Sequence, residues 1–255
     1  MAVDQSERRV ALVTGAAQGL GHATALRLAA DGFAVAVNDV RDDGRLTRLA
    51  ESIGGLSLPG DIADPMAVTS MVATLVAELG RVDALVANAA AMQMGPFLEQ
   101  SAVDWWRQID VNLSGHFRLV QAVVPHMRAA GSGRIVLIAS EWGVSGHANA
   151  TAYAASKAGL IALAKGLARE LGPQGILTNA VAPAYIDTEQ LQVDADDAGV
   201  SLEQIKAIYA DLIPTGRIAT VEDVAGAVSF LVGSGGSAVV GQTLQPNGGV
   251  VRTRA

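Results

Sequence analysis

A chain of 255 residues, half of them hydrophobic, is long enough to bury one sizeable core. Its formal charge of −7, with no cluster of lysines and arginines, argues against a nucleic-acid partner, and the absence of cysteine removes disulfides, thiolate metal sites and cysteine nucleophiles. No apolar run approaches the ~18 residues of a membrane span, and residues 1–9 lack a signal peptide's basic-then-apolar order, so the expectation is a soluble, cytoplasmic protein with no membrane or nucleic-acid contact.

The first apolar run, 10–13, ends in Thr14-Gly15-Ala16-Ala17-Gln18-Gly19-Leu20-Gly21, and a helical pattern follows over 23–30. Strand, glycine-rich turn and helix together present backbone amides to a pyrophosphate. Gly15 would make the turn, Gly19 would let backbone approach the ligand, and Gly21 would let the helix pack tightly on the strand. Residues 33–39 read as a second strand closing on Asp39, 18 positions after Gly21. That is near the ~20 expected of a carboxylate bonding the adenosine ribose hydroxyls. Its charge would repel a 2′-phosphate, which favours NAD over NADP; Arg41 argues the other way. The alternative reading of Asp39 is a plain helix cap.

The alternation continues through a third strand at 56–58 with its exit at 60–62, a helix over Pro65–Leu79 and a fourth strand at 82–88. Helices at 104–110 and 112–128, a fifth strand at 134–140, a helix over Thr151–Leu171 and a sixth strand at 175–181 follow. A helix over Val221–Val232 and a strand at 242–245 close the pattern. Near-continuous apolar strands between helices predict an α/β fold, a doubly wound, seven-stranded parallel sheet with helices on both faces. With no linker or repeat, 1–255 reads as a single domain, and 184–212 is an insertion long enough for a substrate lid. Within the helix over Thr151–Leu171, Tyr153 and Lys157 stand at i and i+4, on one face. A nearby cation favours phenolate; lowering a phenol from about 10 to about 7.5 takes roughly 3.4 kcal/mol.

Thr14-Gly15-x3-Gly19-x-Gly21, Asp61, Asn88-Ala89, Asn112, Ser140, Tyr153-x3-Lys157, Pro183 and Thr188, in this order and spacing, resemble the short-chain dehydrogenase/reductase family over essentially the whole chain. The resemblance implies a Rossmann fold that binds NAD(P) at the carboxyl ends of its strands, and a Ser-Tyr-Lys-Asn catalytic set. Tyr153 would be the base in alcohol oxidation and the acid in ketone reduction. Lys157 would lower its pKa and hold the nicotinamide ribose, and Ser140 would bond the substrate oxygen. Asn112, at a helix start, would hold a water linking Lys157 to solvent. The implied cofactor contacts are Gly15, Gln18, Gly19, Leu20, Gly21 and Asp39, then Asp61, Ile62, Asn88, Pro183, Ile186 and Thr188, besides Tyr153 and Lys157. A homotetramer is also implied, with the face near Val228, Leu231 and Val232 and the tail Val250-Val251-Arg252 as candidate surfaces.

Two positions depart from the family pattern. Ala90 and Ala184 stand where the family usually has glycine, and each added methyl is expected to narrow the allowed backbone. For the substrate, Met92, Met94, Trp142, His147, Gln190, Leu191 and Tyr209 are the candidate pocket residues. Trp142 points to a small apolar, cyclic or aromatic substrate, or is a packed structural indole, and methionines adapt to varied shapes. The acidic piece Asp194-Ala195-Asp196-Asp197 reads as solvated surface, and Trp105-Trp106 as helix packing. The four histidines show no metal-ligand spacing, so no metal is expected. The reading is an NAD-dependent alcohol dehydrogenase or carbonyl reductase. One alternative is a 3-oxoacyl-[acyl-carrier-protein] reductase; by the resemblance it favours NADPH and needs basic docking residues, whereas the turns at 129–133 and 172–175 are uncharged. The other is a non-catalytic NAD-binding regulator.

Overall fold

The computed structural model describes residues 8–251. Most of the segment read for a signal peptide, and Arg252 of the candidate tetramer tail, lie outside the described residues.

The glycine-rich turn joins β1 (Val10–Thr14) to α1 (Gly19–Ala30), and β2 (Ala34–Asn38) leads through α2 (Arg45–Ile53) to the two-residue β3 (Leu56–Ser57). Then come α3 (Pro65–Leu79), β4 (Ala84–Ala87), α4 (Ala102–Ile109), α5 (His116–Ala130), β5 (Gly133–Ile138), the one-turn α6 (Trp142–Ser145) and the long α7 (Thr151–Leu171). β6 (Ile176–Val181), α8 (Gln190–Ala198), α9 (Leu202–Leu212), α10 (Val221–Val232) and β7 (Thr243–Leu244) complete the chain. All seven strands pair in parallel, in the order β3-β2-β1-β4-β5-β6-β7. Strand order reverses between β1 and β4, and the crevice outside their carboxyl ends is where this architecture takes ligands.

Successive side chains of each strand leave opposite faces. Val10 and Leu12 of β1 meet α3, α5 and α7 in one apolar cluster, while Ala11 and Val13 meet α1, α2 and α10 in the other. Both sheet faces are thus covered, as near-continuous apolar strands require. Val228, Leu231 and Val232 of α10 belong to this inner core at no more than 1% exposure, so they are not available as an oligomer surface. Leu98, Val103 and Trp106 are among the apolar side chains that are exposed instead. Trp106 meets Trp105 edge-on but is 63% exposed, so only part of the pair packs as expected.

Helix starts follow local chemistry. Asp64 accepts from the Met66 amide ahead of Pro65, and Ser201 and Thr220 each close a capping box on α9 and α10. α2 has no counterpart among the elements expected from sequence, although Leu46, Leu49, Ala50 and Ile53 carry helical spacing between Gly44 and Gly54. The break expected near residue 111 is also absent. α4 runs into α5 through a π-helical segment, Asp110–Gly115, so Asn112 sits inside a continuous helix rather than at a helix start. Such bulges concentrate at functional sites because the extra residue re-aims a side chain. The uncharged turns at 129–133 and 172–175 precede β5 and β6. They lie at the amino ends of the strands, opposite the crevice of the same chain, and do not describe its charge.

Candidate active site

Where β1 and β4 end, Asn88 holds the glycine-rich turn in place. Its Nδ2 donates to the carbonyls of Thr14 (3.0 Å) and Gly15 (3.1 Å), and the Thr14 hydroxyl accepts from the amides of Asn88 and Ala89. Gly15 has φ +64, and a Cβ on Gly21 would lie 2.0 Å from the Gly15 carbonyl oxygen, so both positions need glycine. Gln18 caps α1 without a side-chain bond, which leaves the first amides of that helix for an anion. A cavity of about 800 Å³ opens over this turn. Gly15, Gln18, Gly19, Leu20, Asp39, Asp61, Ile62, Asn88 and Thr188 all line it, which places most of the expected cofactor residues together. Gly21 lies behind it as the packing contact. A dinucleotide fits this wall: glycine-bare backbone, free helix amides and a carboxylate at the far end.

Gly21→Ala is therefore expected to push the turn off Asn88, weakening dinucleotide binding at least tenfold, since overpacking costs ~1–3 kcal/mol. Calorimetric titration with NAD checks this; unchanged affinity would contradict the role given to Gly21.

Asp39 is less free than a simple ribose acceptor. Its Oδ2 accepts from the Ala17 amide at 3.0 Å and its Oδ1 from the Val40 amide at 2.8 Å, so it braces the turn and the start of the next loop. Arg41 and Arg45 line the same end, and Arg45 also donates to Gln18. Burial alone would raise the Asp61 carboxyl, but Arg107, 2.8 Å away, and the Ala63 amide hold it below the usual range. Arg107 lines this cavity and has no counterpart among the residues read from sequence.

A second cavity, about 330 Å³, adjoins the first; Ala90, Thr188 and Gln190 line both. Ser140, at the exit of β5, and Tyr153, on the first turn of α7, both line it, and Ser140 acts on the phenol so as to lower its pKa. The Ser140 hydroxyl also accepts from the Trp142 amide at 3.2 Å. Lys157 lies behind Tyr153 at 1% exposure, its Nζ donating to the Ile138 carbonyl at 2.7 Å and standing 5.3 Å from the phenol ring. The sequence led us to expect a lowered phenol. Instead, burial pushes Tyr153 up to about 12, against the lowering effect of the Ser140 bond. Burial likewise brings Lys157 down to about 7. Both groups have lost water, and a lysine brought to about 7 is charged only part of the time at neutral pH, which weakens the cation that would favour phenolate.

Asn112 is fully buried, and its amide is spent on protein partners. Oδ1 accepts from the Ala91 amide (2.7 Å), and Nδ2 donates to the Ala91 carbonyl (2.8 Å) and to Ser156 Oγ (3.2 Å). It ties α7 to the chain after β4. Next to it, His116 is held neutral: burial first, then the Lys157 charge, brings it down to about 3, and its Nε2 lies 3.0 Å from the Ala87 carbonyl. Among the described residues, no group of three His, Asp or Glu could hold a metal ion.

The substrate-side expectations divide. Met92, Trp142, Gln190 and Leu191 line the smaller cavity, as does Ile186, which had been read as a cofactor contact. Met94 points away at 42% exposure. His147 stacks on Trp142 (3.9 Å between ring centroids) and supports it from outside. Tyr209 is one layer back, stacked on Tyr185 at 4.1 Å and donating to Asp194 at 3.2 Å; Tyr185 is the ring that reaches the cavity. Asp194 also lines the cavity instead of standing in solvent, because α8 turns it inward beside fully buried Ala195. Pro183 is buried and accepts the Glu141 amide through its carbonyl. Ala90 and Ala184 have no positive φ, so their methyls line cavity walls without straining the backbone.

A family model described as enoyl-(acyl carrier protein) reductase matches residues 15–251. A short-chain dehydrogenase/reductase, eriH of Hericium erinaceus, is 41% identical over 96% of this chain and 98% of its own length. The chain belongs to the short-chain dehydrogenase/reductase family. Within it, the chain is also similar to the 3-oxoacyl-[acyl-carrier-protein] reductase FabG of Salmonella typhimurium, 37% identical over 96% of this chain and 98% of that protein. The short-chain reductase protein NovJ of Streptomyces niveus is 38% identical, covering 96% and 94%. A family that uses NAD(P)H accounts for a glycine-lined cavity meeting a smaller one at a serine and a tyrosine.

Proposed function

We propose that this short-chain dehydrogenase/reductase is an NAD-dependent enzyme that interconverts a secondary alcohol and a ketone on a small apolar, cyclic or aromatic substrate. The observation that carries this is the Ser140–Tyr153 pair, which lines a 330 Å³ cavity that adjoins the dinucleotide-shaped one. The amides at the start of α1, with Gly15 and Gly19, would hold the pyrophosphate, and Asp39 the adenosine ribose. When bound, oxidised nicotinamide supplies the hydride acceptor and a positive charge. Ser140 donates to the substrate oxygen, and the Tyr153 phenol gives its proton to the ketone oxygen in reduction; in oxidation its phenolate form, favoured by the nicotinamide charge, takes the hydroxyl proton. Lys157, brought to about 7 behind the ring, would take up the proton that the phenol must lose before oxidation. Trp142, edge-on to Tyr153 at 5.9 Å, with Met92 and Leu191, shapes an apolar wall. The chain would act as one domain, with 184–212 as the lid, in a homotetramer.

The NAD preference rests on the Asp39 charge against Arg41 and Arg45. Asp39→Ser should raise the NADP-to-NAD ratio of kcat/KM at least tenfold, because repulsion of the 2′-phosphate is lost while both arginines stay. A steady-state comparison that finds the ratio unmoved would remove Asp39 from cofactor choice.

The similarity to FabG favours a second reading, a 3-oxoacyl thioester reductase. A panel of secondary alcohols with NAD and of 3-oxoacyl thioesters with NADPH, followed at the reduced-nicotinamide band, separates the two. Turnover confined to the thioesters would replace the first reading with the second.

A further inference from the structure

Glu141 is a group that the proton-transfer scheme leaves unused. It follows Ser140 at the exit of β5 and is only 3% exposed. Its backbone is locked: the amide donates to the Pro183 carbonyl at 2.9 Å, and its own carbonyl accepts from the amides of Val144 and Ser145. Its direction is therefore set by the fold. Its Oε2 is buried without a hydrogen-bond partner, yet the residue lines the substrate cavity. A buried carboxyl with an unused acceptor is costly and calls for a reason. No lysine, arginine or histidine lines that cavity, whereas Asp194 does, and Tyr185 lies close to both acids.

The charge pattern is consistent. Tyr185 is raised by burial, then by the charges of Glu141 and Asp194. Burial holds the Glu141 carboxyl at about 7. One end of the cavity thus offers Ser140 and Tyr153 to the reacting oxygen, and the adjoining wall offers the carboxyls of Glu141 and Asp194 beside the Tyr185 hydroxyl. Glu141 directly follows Ser140 and both line this cavity, so a ligand group meeting the carboxyl sits near the part of the ligand that faces Ser140.

We propose that Glu141 is a substrate-recognition residue whose carboxyl accepts a hydrogen bond from a second donor, a hydroxyl or an ammonium, on the carbon next to the reacting carbinol. The preferred substrates are then vicinal diols or amino alcohols and the matching ketones, not plain secondary alcohols. Carboxylate-bearing analogues are excluded by Glu141 and Asp194 together. This rests on the alcohol–ketone reading of the same site.

Binding in a complex that cannot react tests it apart from turnover. With reduced cofactor present, calorimetry compares cyclohexanol, trans-1,2-cyclohexanediol, 2-aminocyclohexanol and 2-hydroxycyclohexanecarboxylate. The wild type should bind the diol or the amino alcohol at least tenfold more tightly than cyclohexanol, and the carboxylate most weakly. The better of the two identifies the donor. Glu141→Leu should reduce that preference to within twofold. Glu141→Gln keeps the shape with a weaker acceptor and should reduce it at least threefold. The Gln variant also checks folding. A carboxyl raised from 4.5 to about 7 by burial costs stability above pH ~7 and nothing below ~4.5, so the variant should melt no lower than wild type at pH 8. Equal affinity of the wild type for cyclohexanol and both donor-bearing ligands, or a preference unchanged in the variants, overturns the proposal. If the binding preference appears but none of these alcohols turns over with oxidised cofactor, the recognition role stands and the reaction reading falls.

Discussion

Tyr153→Phe is expected to lower kcat by about 10²–10⁴, the range for losing a positioned acid–base group, while leaving the Kd for NAD within threefold. The substitution removes one oxygen. The ring remains, with its edge-on contact to Trp142 and its place over Lys157, so α7 and the cavity keep their shape. The groups around it are poor replacements for the lost proton acceptor. Ser140 has an unactivated hydroxyl that already accepts from the Trp142 amide, and Lys157 is buried behind the ring with its Nζ on the Ile138 carbonyl. Steady-state kinetics beside calorimetric NAD binding checks the split. A kcat within tenfold of wild type would remove the phenol from the chemistry.

Lys157→Met should abolish turnover and at the same time stabilise the cofactor-free protein. A lysine brought from 10.5 down to about 7 is held in the fold against its preference for charge. The unfolded chain binds the extra proton between those values, so the burden is fully present below pH ~7 and fades as pH rises toward ~10.5. At about 1.36 kcal/mol per unit, removing it is worth on the order of 5 kcal/mol at pH 6, less ~1–3 kcal/mol for the bond to Ile138. The variant should melt several degrees above wild type at pH 6, with the gap closing by pH 10. Melting curves across that range test the sign. A variant less stable at pH 6 would mean that Lys157 stabilises the fold. Stability held below its optimum at a reactive group is common where activity depends on that group.

Much of this was legible before any coordinates. The glycine turn, the apolar strands and the spacing of Tyr153 and Lys157 are local patterns, and the parallel sheet follows from their alternation. What escaped depended on distance. Asn112 looked like a helix start because asparagine is a favoured N-cap; in the fold it lies inside one long helix, its side chain bonded to Ala91 and Ser156, partners that local spacing does not disclose. The phenol was expected below its usual pKa because a cation stood one turn away, but the charge of that cation depends on the water it loses. Asp194 and Tyr185 enter the cavity through the fold of α8 and α9, which no spacing within the insertion discloses. α2 was readable from Leu46, Leu49, Ala50 and Ile53.

The most direct test of the alcohol–ketone reading follows the hydrogen itself. Reduced cofactor carrying deuterium at its transferable position is mixed with the protein and a panel of small cyclic and aromatic ketones, and the products are weighed by mass spectrometry. Our account predicts an alcohol product bearing one deuterium from at least one ketone, and none with Tyr153→Phe. Tight cofactor binding with no deuterated alcohol from any ketone would contradict it and leave a dinucleotide-binding protein without this chemistry.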